Sequence, residues 1–505
     1  HGDLLEKLQK LVVPGAFDAW MLLLRDFGTL PLARVLGPAI AFAEQGFPLV
    51  PNISNTIAAV RELFEQEWPT SAAIWLPQGA VPAPGTLFRL PGLAATFRRL
   101  LAEAEAAGGN RERRIEAARA CFRGGFVAEA IERFCRGTTA LDSSGRRHAG
   151  LLTAADMAGW EATLEPPATL DYGGLTVCKT GPWGQGPVLL QQLALLRGFD
   201  LASLDPAGAE FIHLVTECSK LAFADREAFY GDTPDLPVPL ETLLSPAYNA
   251  ERRRLVGPEA SLALRPGSVP GHGAAPVQRI RRPETALERR LGLGEPTVAR
   301  FDEPRPTAEG ATRGDTCHLD IVDRWGNMIS ATPSGGWLQS SPAIPALGCC
   351  LGNRAQMFAL EPGLPSTLAP GRRPRTTLSP GLALRDGEPY LAFGTPGGDQ
   401  QDQWALHFLL RHLHHGMNLQ EAIDAPGFNT AHFPGSFYPR ESDPGHLAIE
   451  GRVAPAEQAE LRRRGHRLEV SDDWSLGRMT AAARAGRILK AAANPRFMQG
   501  YAIGR

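Results

Sequence analysis

Apolar positions recur every three or four residues over several stretches of the first 230 residues. This spacing predicts helices that each bury one face. We expect such helices over residues 39–44, 93–107 and 209–230, and we expect the polar side chains of the last helix to lie outside its buried stripe. Those polar side chains belong to His213, Glu217, Lys220 and Asp225.

The periodicity disappears between residues 231 and 315, where proline, glycine, arginine and alanine dominate. A stretch of this length without regular spacing is unusual inside a compact domain and is typical of a linker or a functional loop. We therefore predict a flexible, exposed connector over residues 231–315. Its end is abrupt, because a strand pattern begins at the next residue, Thr316.

Alternating apolar and polar residues predict a β-hairpin directly after the connector. Leu319 and Ile321 alternate before the turn, and Met328 and Ser330 alternate after it. The turn contains glycine and asparagine, which tolerate a positive φ. The patterns that follow predict strands at residues 381–384 and 390–393 and helices at residues 403–412 and 456–463. The last third of the chain is thus predicted to be a β-rich unit with helices.

The composition narrows the class of partner. Of the 505 residues, 43% are hydrophobic and 21% are charged, and the formal net charge is -2, which gives no electrostatic reason to bind nucleic acid or an anionic membrane. No apolar run reaches the roughly 18 residues that span a bilayer. The seven cysteines are irregularly spaced, so they predict neither a disulfide framework nor a zinc site, and they favour a cytoplasmic location. A small neutral or mildly charged substrate fits this composition.

The position of Thr316 between the connector and the hairpin favours a catalytic role for this residue. If the chain were cut before Thr316, the threonine would carry a free α-amine beside its own hydroxyl. A threonine hydroxyl is a poor nucleophile at neutral pH, and a nearby base activates it. One residue would then supply both the nucleophile and the base. The alternative is an ordinary strand that starts after a loop.

Short motifs follow one another from end to end of the chain. Before the connector they are Val13-Pro14-Gly15, Phe27-Gly28-Thr29-Leu30-Pro31, Pro38-Ala39-Ile40, Ala43-Glu44-Gln45-Gly46-Phe47 and the helix that leads into Asp225-Arg226 and Tyr230-Gly231-Asp232. After it they are Thr316-Cys317-His318, Asp323-x-x-Gly326-Asn327, Arg373-Pro374-Arg375-Thr376-Thr377-Leu378-Ser379-Pro380, Gly394-Thr395-Pro396-Gly397-Gly398 and Asn494-Pro495-Arg496. In this order they resemble the γ-glutamyltransferase (glutathione hydrolase) family of N-terminal-nucleophile hydrolases.

The resemblance implies an α+β fold, a four-layer αββα sandwich in which helices cover two stacked antiparallel sheets. It also implies cleavage between Asp315 and Thr316, so that residues 1–315 form a large-subunit region and residues 316–505 a small subunit. The two fragments would stay together as a heterodimer, and a higher oligomer is left open. The substrate would be a small-molecule amide, with an acceptor amino acid or peptide left open, and no metal or organic cofactor is needed.

The same resemblance assigns roles to individual residues. Thr316 would be the nucleophile, and Ser334 would support it with a hydroxyl. Gly397 and Gly398 match the glycine pair whose backbone amides form the oxyanion hole, where a residue without Cβ lets the backbone approach the intermediate. The remaining matches are to substrate-binding positions, at Thr376, Thr377 and Gly336. Without the resemblance these residues read as turn glycines, a turn serine and a β-branched strand pair.

One motif departs from the family pattern. The family binds the substrate α-amine through an acidic residue, but the matching segment here, residues 352–358, has no carboxylate and contains Arg354 and Met357. An arginine would repel an ammonium group in the same pocket and would suit a carboxylate at the end of the acyl group. Three readings follow: a γ-glutamyl amidohydrolase or transpeptidase with hydrolysis favoured, an acylase on other amides such as glutaryl compounds, or a silent, uncleaved binding homologue.

The beginning of the chain also differs from the family. The family's arginine for the substrate α-carboxylate lies in an N-terminal segment, and this chain begins just before its Val13-Pro14-Gly15 motif without an initiator methionine or a signal pattern. We therefore expect the large-subunit region to be truncated at its N-terminus. A periplasmic or secreted location stays open for the same reason.

Overall fold

The computed structural model of the protein describes a large part of the chain, namely residues 11–141, 146–280, 316–335, 338, 340–437, 440–496 and 500–504. These residues fall into two compact units. The described residues of the first unit lie within 1–164 and 335–356, and those of the second lie within 165–283, 306–334 and 357–505.

The first unit is mostly helical. Its helices pack around apolar side chains such as Leu63, Leu100 and Ile131, and a buried ion pair joins Asp18 to Arg119, whose guanidinium donates hydrogen bonds of 2.8 and 3.0 Å to the carboxylate. The helices are α1 (Ala16–Phe27), α2 (Leu32–Gln45), α3 (Pro51–Ala59), α4 (Arg61–Gln66), α5 (Pro69–Trp75), α6 (Pro91–Ala106), α7 (Arg111–Gly124), α8 (Phe126–Gly137) and α9 (Ala154–Ala158). Two antiparallel strand pairs join β1 (Phe47–Pro48) to β2 (Leu87–Phe88) and β3 (Thr139–Leu141) to β4 (Arg147–Ala149).

A six-stranded antiparallel sheet forms the centre of the second unit. Its strands, from one edge to the other, are β17 (Ile488–Ala493), β16 (Thr480–Ala485), β11 (Glu388–Gly394), β10 (Gly381–Arg385), β6 (Leu175–Lys179) and β5 (Ala168–Tyr172). Strands β5 and β6 precede Thr316 in the chain and the other four follow it. The ladder between β6 and β10 therefore joins the parts of the chain on either side of Thr316.

Each face of this sheet has a different neighbour. A hairpin of β8 (Leu319–Val322) and β9 (Met328–Ala331) lies on one face, where the ring of His318 contacts Gly394. On the other face, Phe393 packs against Phe408 with ring centroids 6.1 Å apart. Adjacent strand residues point to opposite faces, so the hairpin and the helices cover the two sides of β11. The helices of this unit are α10 (Gly186–Leu196), α11 (Ala209–Phe229), α12 (Leu240–Leu244), α13 (Pro246–Arg253), α14 (Gln401–His414), α15 (Leu419–Asp424) and α16 (Pro455–Arg463).

Smaller elements complete the second unit. A three-stranded sheet has the order β12 (Phe428–Asn429), β14 (His446–Glu450) and β15 (Arg467–Ser471), and a parallel pair joins β7 (Arg279–Ile280) to β13 (Glu441–Ser442). The prediction of a mixed fold of helices and antiparallel strands is confirmed, whereas the four-layer sandwich stays a prediction. Within the described ranges, we find no helix that is both long and apolar enough to cross a bilayer.

The prediction of one buried face is wrong for α11. Nearly every residue of this helix is buried, including the four polar side chains that the pattern placed outside the stripe. They are buried because each has a partner. Lys220 donates a 2.5 Å hydrogen bond to Glu217, and Asp225 forms an ion pair with Arg252 at 3.2 Å. Periodicity alone cannot distinguish a solvated polar residue from a paired one.

The predicted connector is wrong in its first half. Helices α12 and α13 lie within residues 231–280, and Asn249 and Arg252 of α13 are buried. The carboxylate of Asp225 holds this segment, since it also accepts a hydrogen bond from the Gly267 amide at 2.6 Å. A sequence pattern does not reveal such long-range polar contacts. Residues 281–315 lie outside the described residues, so the rest of the connector stays a prediction.

Candidate active site

The hydroxyl groups of Thr316 and Ser334 form the centre of the candidate site. Thr316 precedes β8 and Ser334 follows β9, and the hairpin register pairs Leu319 with Ala331. The two residues therefore extend the same end of the hairpin. Their oxygens, Oγ1 and Oγ, are 2.7 Å apart, which is a hydrogen bond. The structure thus brings together two residues that the sequence predicted to act as a pair.

A buried histidine holds this end of the hairpin in place. His318 Nδ1 lies 2.8 Å from Thr332 Oγ1, and His318 Nε2 lies 3.0 Å from Asp320 Oδ2. Thr480 at the start of β16 donates a 2.7 Å hydrogen bond to the same Asp320 oxygen. A Cβ added to Gly394 would lie 2.4 Å from the His318 ring, so only glycine permits this approach. The contacts fix the hairpin end against the end of β11.

Gly397 and Gly398 lie at the same edge of the sheet. Strand β11 ends at Gly394, which the His318 ring contacts, and the two glycines follow within four residues. Their φ values are 138° and 58°, in the region that glycine adopts most readily. A Cβ on Gly397 would also lie 2.5 Å from the Trp404 ring. The backbone therefore takes a turn at this point that other residues would resist.

Thr376 and Thr377 approach the same edge from β10. Because β10 is antiparallel to β11, its first residue Gly381 pairs with Phe393 near the end of β11. The Thr376 amide donates a 3.0 Å hydrogen bond to the Trp183 carbonyl. Thr377 is fully buried, and its hydroxyl has no hydrogen-bond partner among the described residues. A substrate-binding role for Thr376 and Thr377 stays a prediction.

Buried charges connect the segments around this edge. Glu227 at the end of α11 lies 2.8 Å from Arg375 and 2.9 Å from Arg440, and it also accepts a hydrogen bond from Arg226. Burial acts to raise the pKa of Glu227, but the three guanidinium groups outweigh burial and lower the pKa to about 2. Burial lowers the pKa of Arg375 to about 9 against the attraction of Glu227. The charges hold together the ends of several elements that carry the site.

Arg354 lies in the first unit, whereas the site residues described above lie in the second. It begins a 3-10 turn, Arg354–Met357, and its side chain is buried and packs against Gly335, the residue after Ser334. Next to it, Gln356 donates a 3.1 Å hydrogen bond to Asn353. A substrate-binding role for Arg354 stays a prediction. Two other predicted site residues, Gly336 and Asp315, lie outside the described residues.

The sequence reading missed four polar residues at this edge. His318 lies directly before β8 and Asp320 lies on it, two residues apart, and this alternation is the signal that could have found them. Gln185 and Arg226 contact the turn at residues 396–399, called the glycine turn below. Gln185 bonds Gly398 and Arg226 bonds Asp399. Both come from distant parts of the chain, so only the folded structure shows these contacts. Gln185 Nε2 donates a 3.2 Å hydrogen bond to the Gly398 carbonyl.

In the part of the chain that the structure describes, one group of side chains has the spacing of a metal site: His213, Glu217 and His466. Its atoms are already engaged with each other and with cations. His213 Nδ1 lies 2.9 Å from His466 Nε2, and Glu217 is bonded to Lys220 and Arg265. Adding a cation beside two positive charges would be unfavourable. The group fits a buried polar network better than a metal centre.

Comparisons with known proteins show what the chain as a whole is similar to. The family model described as Gamma-glutamyltranspeptidase matches residues 4–504. Solved structures of LmbA2991 share 55% sequence identity with this chain, cover all of it and 84% of their own length, and superpose with TM-scores of 0.89 and 0.88.

Two more distant relatives carry names of amide-cleaving enzymes. The structure of a cephalosporin acylase from Bacillus halodurans is 26% identical, covers 99% of this chain and 80% of its own, and has a TM-score of 0.76. The acylase ACY 1 proenzyme from Pseudomonas sp. (strain SE83) is 29% identical over 475 residues, which are 94% of this chain and 71% of the relative.

Proposed function

Because the chain belongs to the gamma-glutamyltranspeptidase family, we propose that it is a self-cleaving amidohydrolase whose nucleophile is Thr316. Cleavage before Thr316 would free an α-amine beside the threonine hydroxyl. The observation that carries this proposal is the 2.7 Å hydrogen bond between Thr316 Oγ1 and Ser334 Oγ. It orients the nucleophile at the edge where the glycine turn lies. The four-layer arrangement of the family would supply the surrounding scaffold.

The reaction follows from these groups. The Thr316 oxygen attacks the amide carbonyl carbon of the substrate, and its proton passes to the free α-amine. The backbone amides of Gly397 and Gly398 donate hydrogen bonds to the oxyanion that forms. The C–N bond then breaks. The leaving amine of the substrate takes the proton from the Thr316 α-amine, and the acyl group stays on the threonine as an ester. A water molecule, activated by the same α-amine, attacks this ester. The acyl group is released as a carboxylic acid and the enzyme is regenerated.

Two classes of substrate are candidates, and they differ in the acyl group. A γ-glutamyl amide fits the family, and Thr377 has a free hydroxyl for its carboxylate. An acyl group that ends in a carboxylate, such as glutaryl, fits the loss of the acidic residue and the presence of Arg354. The names of two relatives favour an acylase reading without specifying the acyl group. The sequence motifs name no acceptor-amine site, so we propose hydrolysis ahead of transfer.

Electrophoresis of purified protein tests self-cleavage. We expect the wild type to give two fragments in denaturing gels and Thr316→Ala to give one full-length band, because alanine has no hydroxyl to attack the preceding peptide. Cys317→Ala is the matched control at the next residue and should still be cleaved. A wild type that stays in one piece after prolonged incubation would refute the proposal and favour an uncleaved binding protein.

Turnover of paired anilides tests the acyl group. We expect Arg354→Ala to reduce the rate on glutaryl p-nitroanilide by at least about tenfold, the loss of one charged contact, and to reduce the rate on γ-glutamyl p-nitroanilide less. The control is Arg385→Ala, at the end of β10. An unchanged ratio of the two rates in Arg354→Ala would contradict the assignment of Arg354 to the acyl carboxylate.

A further inference from the structure

The glycine turn is held by hydrogen bonds to its carbonyl groups. In a planar trans peptide the C=O and the N–H of one unit point in opposite directions. A bond that fixes a carbonyl therefore fixes the direction of the next residue's N–H. The Thr395 hydroxyl donates a 2.7 Å hydrogen bond to the Pro396 carbonyl. This bond sets the direction of the Gly397 amide, because both groups belong to one peptide unit.

The next two peptide units are fixed in the same way. The Gly397 carbonyl accepts a 3.1 Å hydrogen bond from the Gln400 amide, which sets the direction of the Gly398 amide. The Gly398 carbonyl accepts a hydrogen bond from the Gln401 amide and one of 3.2 Å from Gln185 Nε2, and these bonds fix the peptide unit that follows Gly398. Three successive peptide units of the turn thus have their carbonyl groups engaged.

Gln185 is itself held in place by a closed ring of contacts. Its Oε1 accepts a 2.9 Å hydrogen bond from Arg226, and the same Arg226 nitrogen pairs with Asp399 Oδ1. Asp399 is the residue after Gly398, so the ring returns to the turn that Gln185 binds. Asp399 also accepts hydrogen bonds from the amide and the hydroxyl of Ser436, at 2.9 and 2.6 Å.

The ring is buried and rigidly packed. The side chains of Gln185 and Arg226 have no exposed surface, and the Arg226 guanidinium lies 4.7 Å from the ring centre of Phe223 and 5.1 Å from that of Phe433. In such surroundings hydrogen bonds are stronger than in water, and they are costly to break. Gln185 therefore has little freedom to move away from the Gly398 carbonyl.

We propose that Thr395 and Gln185 are positioning residues that hold the glycine turn so that the backbone amides of Gly397 and Gly398 face the substrate oxyanion. Thr395 fixes the peptide unit that carries the Gly397 amide, and Gln185 fixes the peptide unit that follows Gly398. Neither side chain needs to touch the substrate, because each acts through a carbonyl of the turn. This inference rests on the proposed function, since it takes the two amides as the oxyanion hole. It goes further by naming the groups that keep the amides preorganised, on which such catalysis depends.

The test measures acylation separately from binding. In Gln185→Met the side chain keeps its approximate volume and loses both hydrogen bonds, and in Thr395→Val it keeps its shape and loses the hydroxyl. The burst of p-nitroaniline released from the better of γ-glutamyl and glutaryl p-nitroanilide gives the acylation rate. We expect each variant to lower this rate at least about tenfold, a part of the 10²- to 10³-fold effect of losing an oxyanion donor. The KM should stay within about twofold.

Matched variants separate positioning from general loss of structure. Gln191→Met removes an equally buried glutamine of α10 that bonds Asp225, and Thr430→Val removes a buried hydroxyl that bonds the His446 carbonyl. Both should acylate at close to the wild-type rate. Thr395→Ser keeps a hydroxyl and should recover most of the rate. The two test variants remove different hydrogen bonds to the glycine turn. If Gln185→Met fails to fold, Thr395→Val still tests whether these bonds position the turn.

The outcomes distinguish this inference from its premise. If the wild type forms no acyl adduct on Thr316 with either anilide, the proposed function fails and the inference falls with it. If the wild type is acylated and Gln185→Met and Thr395→Val acylate as fast as their controls, the proposed function stands and the positioning role is wrong. A rate loss that matches the controls and follows a lower melting temperature would also overturn it.

Discussion

The Ser334 hydroxyl forms a 2.7 Å hydrogen bond with the hydroxyl of Thr316, the proposed nucleophile. If Thr316 attacks the substrate, this bond would orient its oxygen and stabilise charge on it. We expect Ser334→Ala to slow turnover about tenfold, the equivalent of one hydrogen bond, and to slow self-cleavage as well. Initial rates and a time course of fragment formation measure both. Ser334→Thr keeps the hydroxyl, and a loss in this variant as large as in the alanine variant would contradict the role.

The conformation of Gly397 makes it sensitive to any side chain. Its φ is 138°, and an added Cβ would lie 2.5 Å from the Trp404 ring, so Gly397→Ala must shift the turn. We expect a loss of activity of at least about 100-fold, as for the removal of an oxyanion donor. Gly387 in the β10–β11 turn also has a positive φ, at 80°, but has open space around it.

Gly387→Ala is therefore the matched control for backbone strain. It should lower the melting temperature by a few degrees, because alanine in this region costs about 1 kcal/mol, and it should keep its activity. Equal activity losses in Gly387→Ala and Gly397→Ala would show that strain, and not the position of the turn, decides the effect.

At the residue scale the sequence named the residues of the proposed site but not the residues that support them. Thr316, Ser334 and the two glycines could be named because each lies in a short local motif. Gln185 and Arg226 could not, because their contacts with the turn join segments more than 170 residues apart. Such long-range hydrogen bonds depend on the tertiary structure, and the spacing of residues along the sequence does not reveal them.

Among the elements, the C-terminal end of α11 carries the buried carboxylate of Glu227, which joins three arginines near the candidate site. Glu227 lies between Arg226, Arg375 and Arg440, which lower its pKa to about 2 from 4.5 although burial acts in the opposite direction. Because the folded pKa is the lower one, the unfolded chain binds more protons between these values. The stabilisation is fully present above about pH 5 and is lost as the pH falls toward 2.

We therefore expect the melting temperature of the wild type to fall steeply between pH 5 and pH 2. The difference in pKa corresponds to on the order of 3 kcal/mol. Glu227→Gln should start from a lower melting temperature at pH 7 and should depend less on pH in this range. Glu388→Gln removes an exposed carboxylate and should keep the wild-type slope. Parallel pH profiles for the wild type and Glu227→Gln would contradict the role of this carboxylate.

The elements themselves were predictable where their pattern was local. The hairpin of β8 and β9, the strands β10 and β11 and the helix α14 agree with the alternation and periodicity of the sequence. The helix α11 also lies where the periodicity predicts it, but its polar side chains are buried. The segment from 231 to 280 contains helices that the pattern did not predict. In both cases buried polar pairs such as Asp225 with Arg252 determine the packing. A prediction based on apolar positions assumes that polar residues are exposed, so it does not detect buried polar pairs.

For the whole molecule, the central sheet predicts how the cleaved fragments behave. Strand β6 lies before the proposed cleavage point and pairs with β10 after it, and the core of this unit contains apolar residues from both parts. We expect the two fragments to elute together in gel filtration under native conditions and to separate only in denaturant. Two separate native peaks would contradict the shared sheet.

Mass spectrometry of the enzyme during turnover tests the central claim most directly. The wild type is mixed with an excess of γ-glutamyl or glutaryl p-nitroanilide, quenched in acid and digested. The account predicts a small fragment whose sequence begins at Thr316 and whose first residue carries the acyl mass, with no adduct on Thr316→Ala. An intact chain with no cleavage before Thr316, or an acyl group on any other residue, would contradict it.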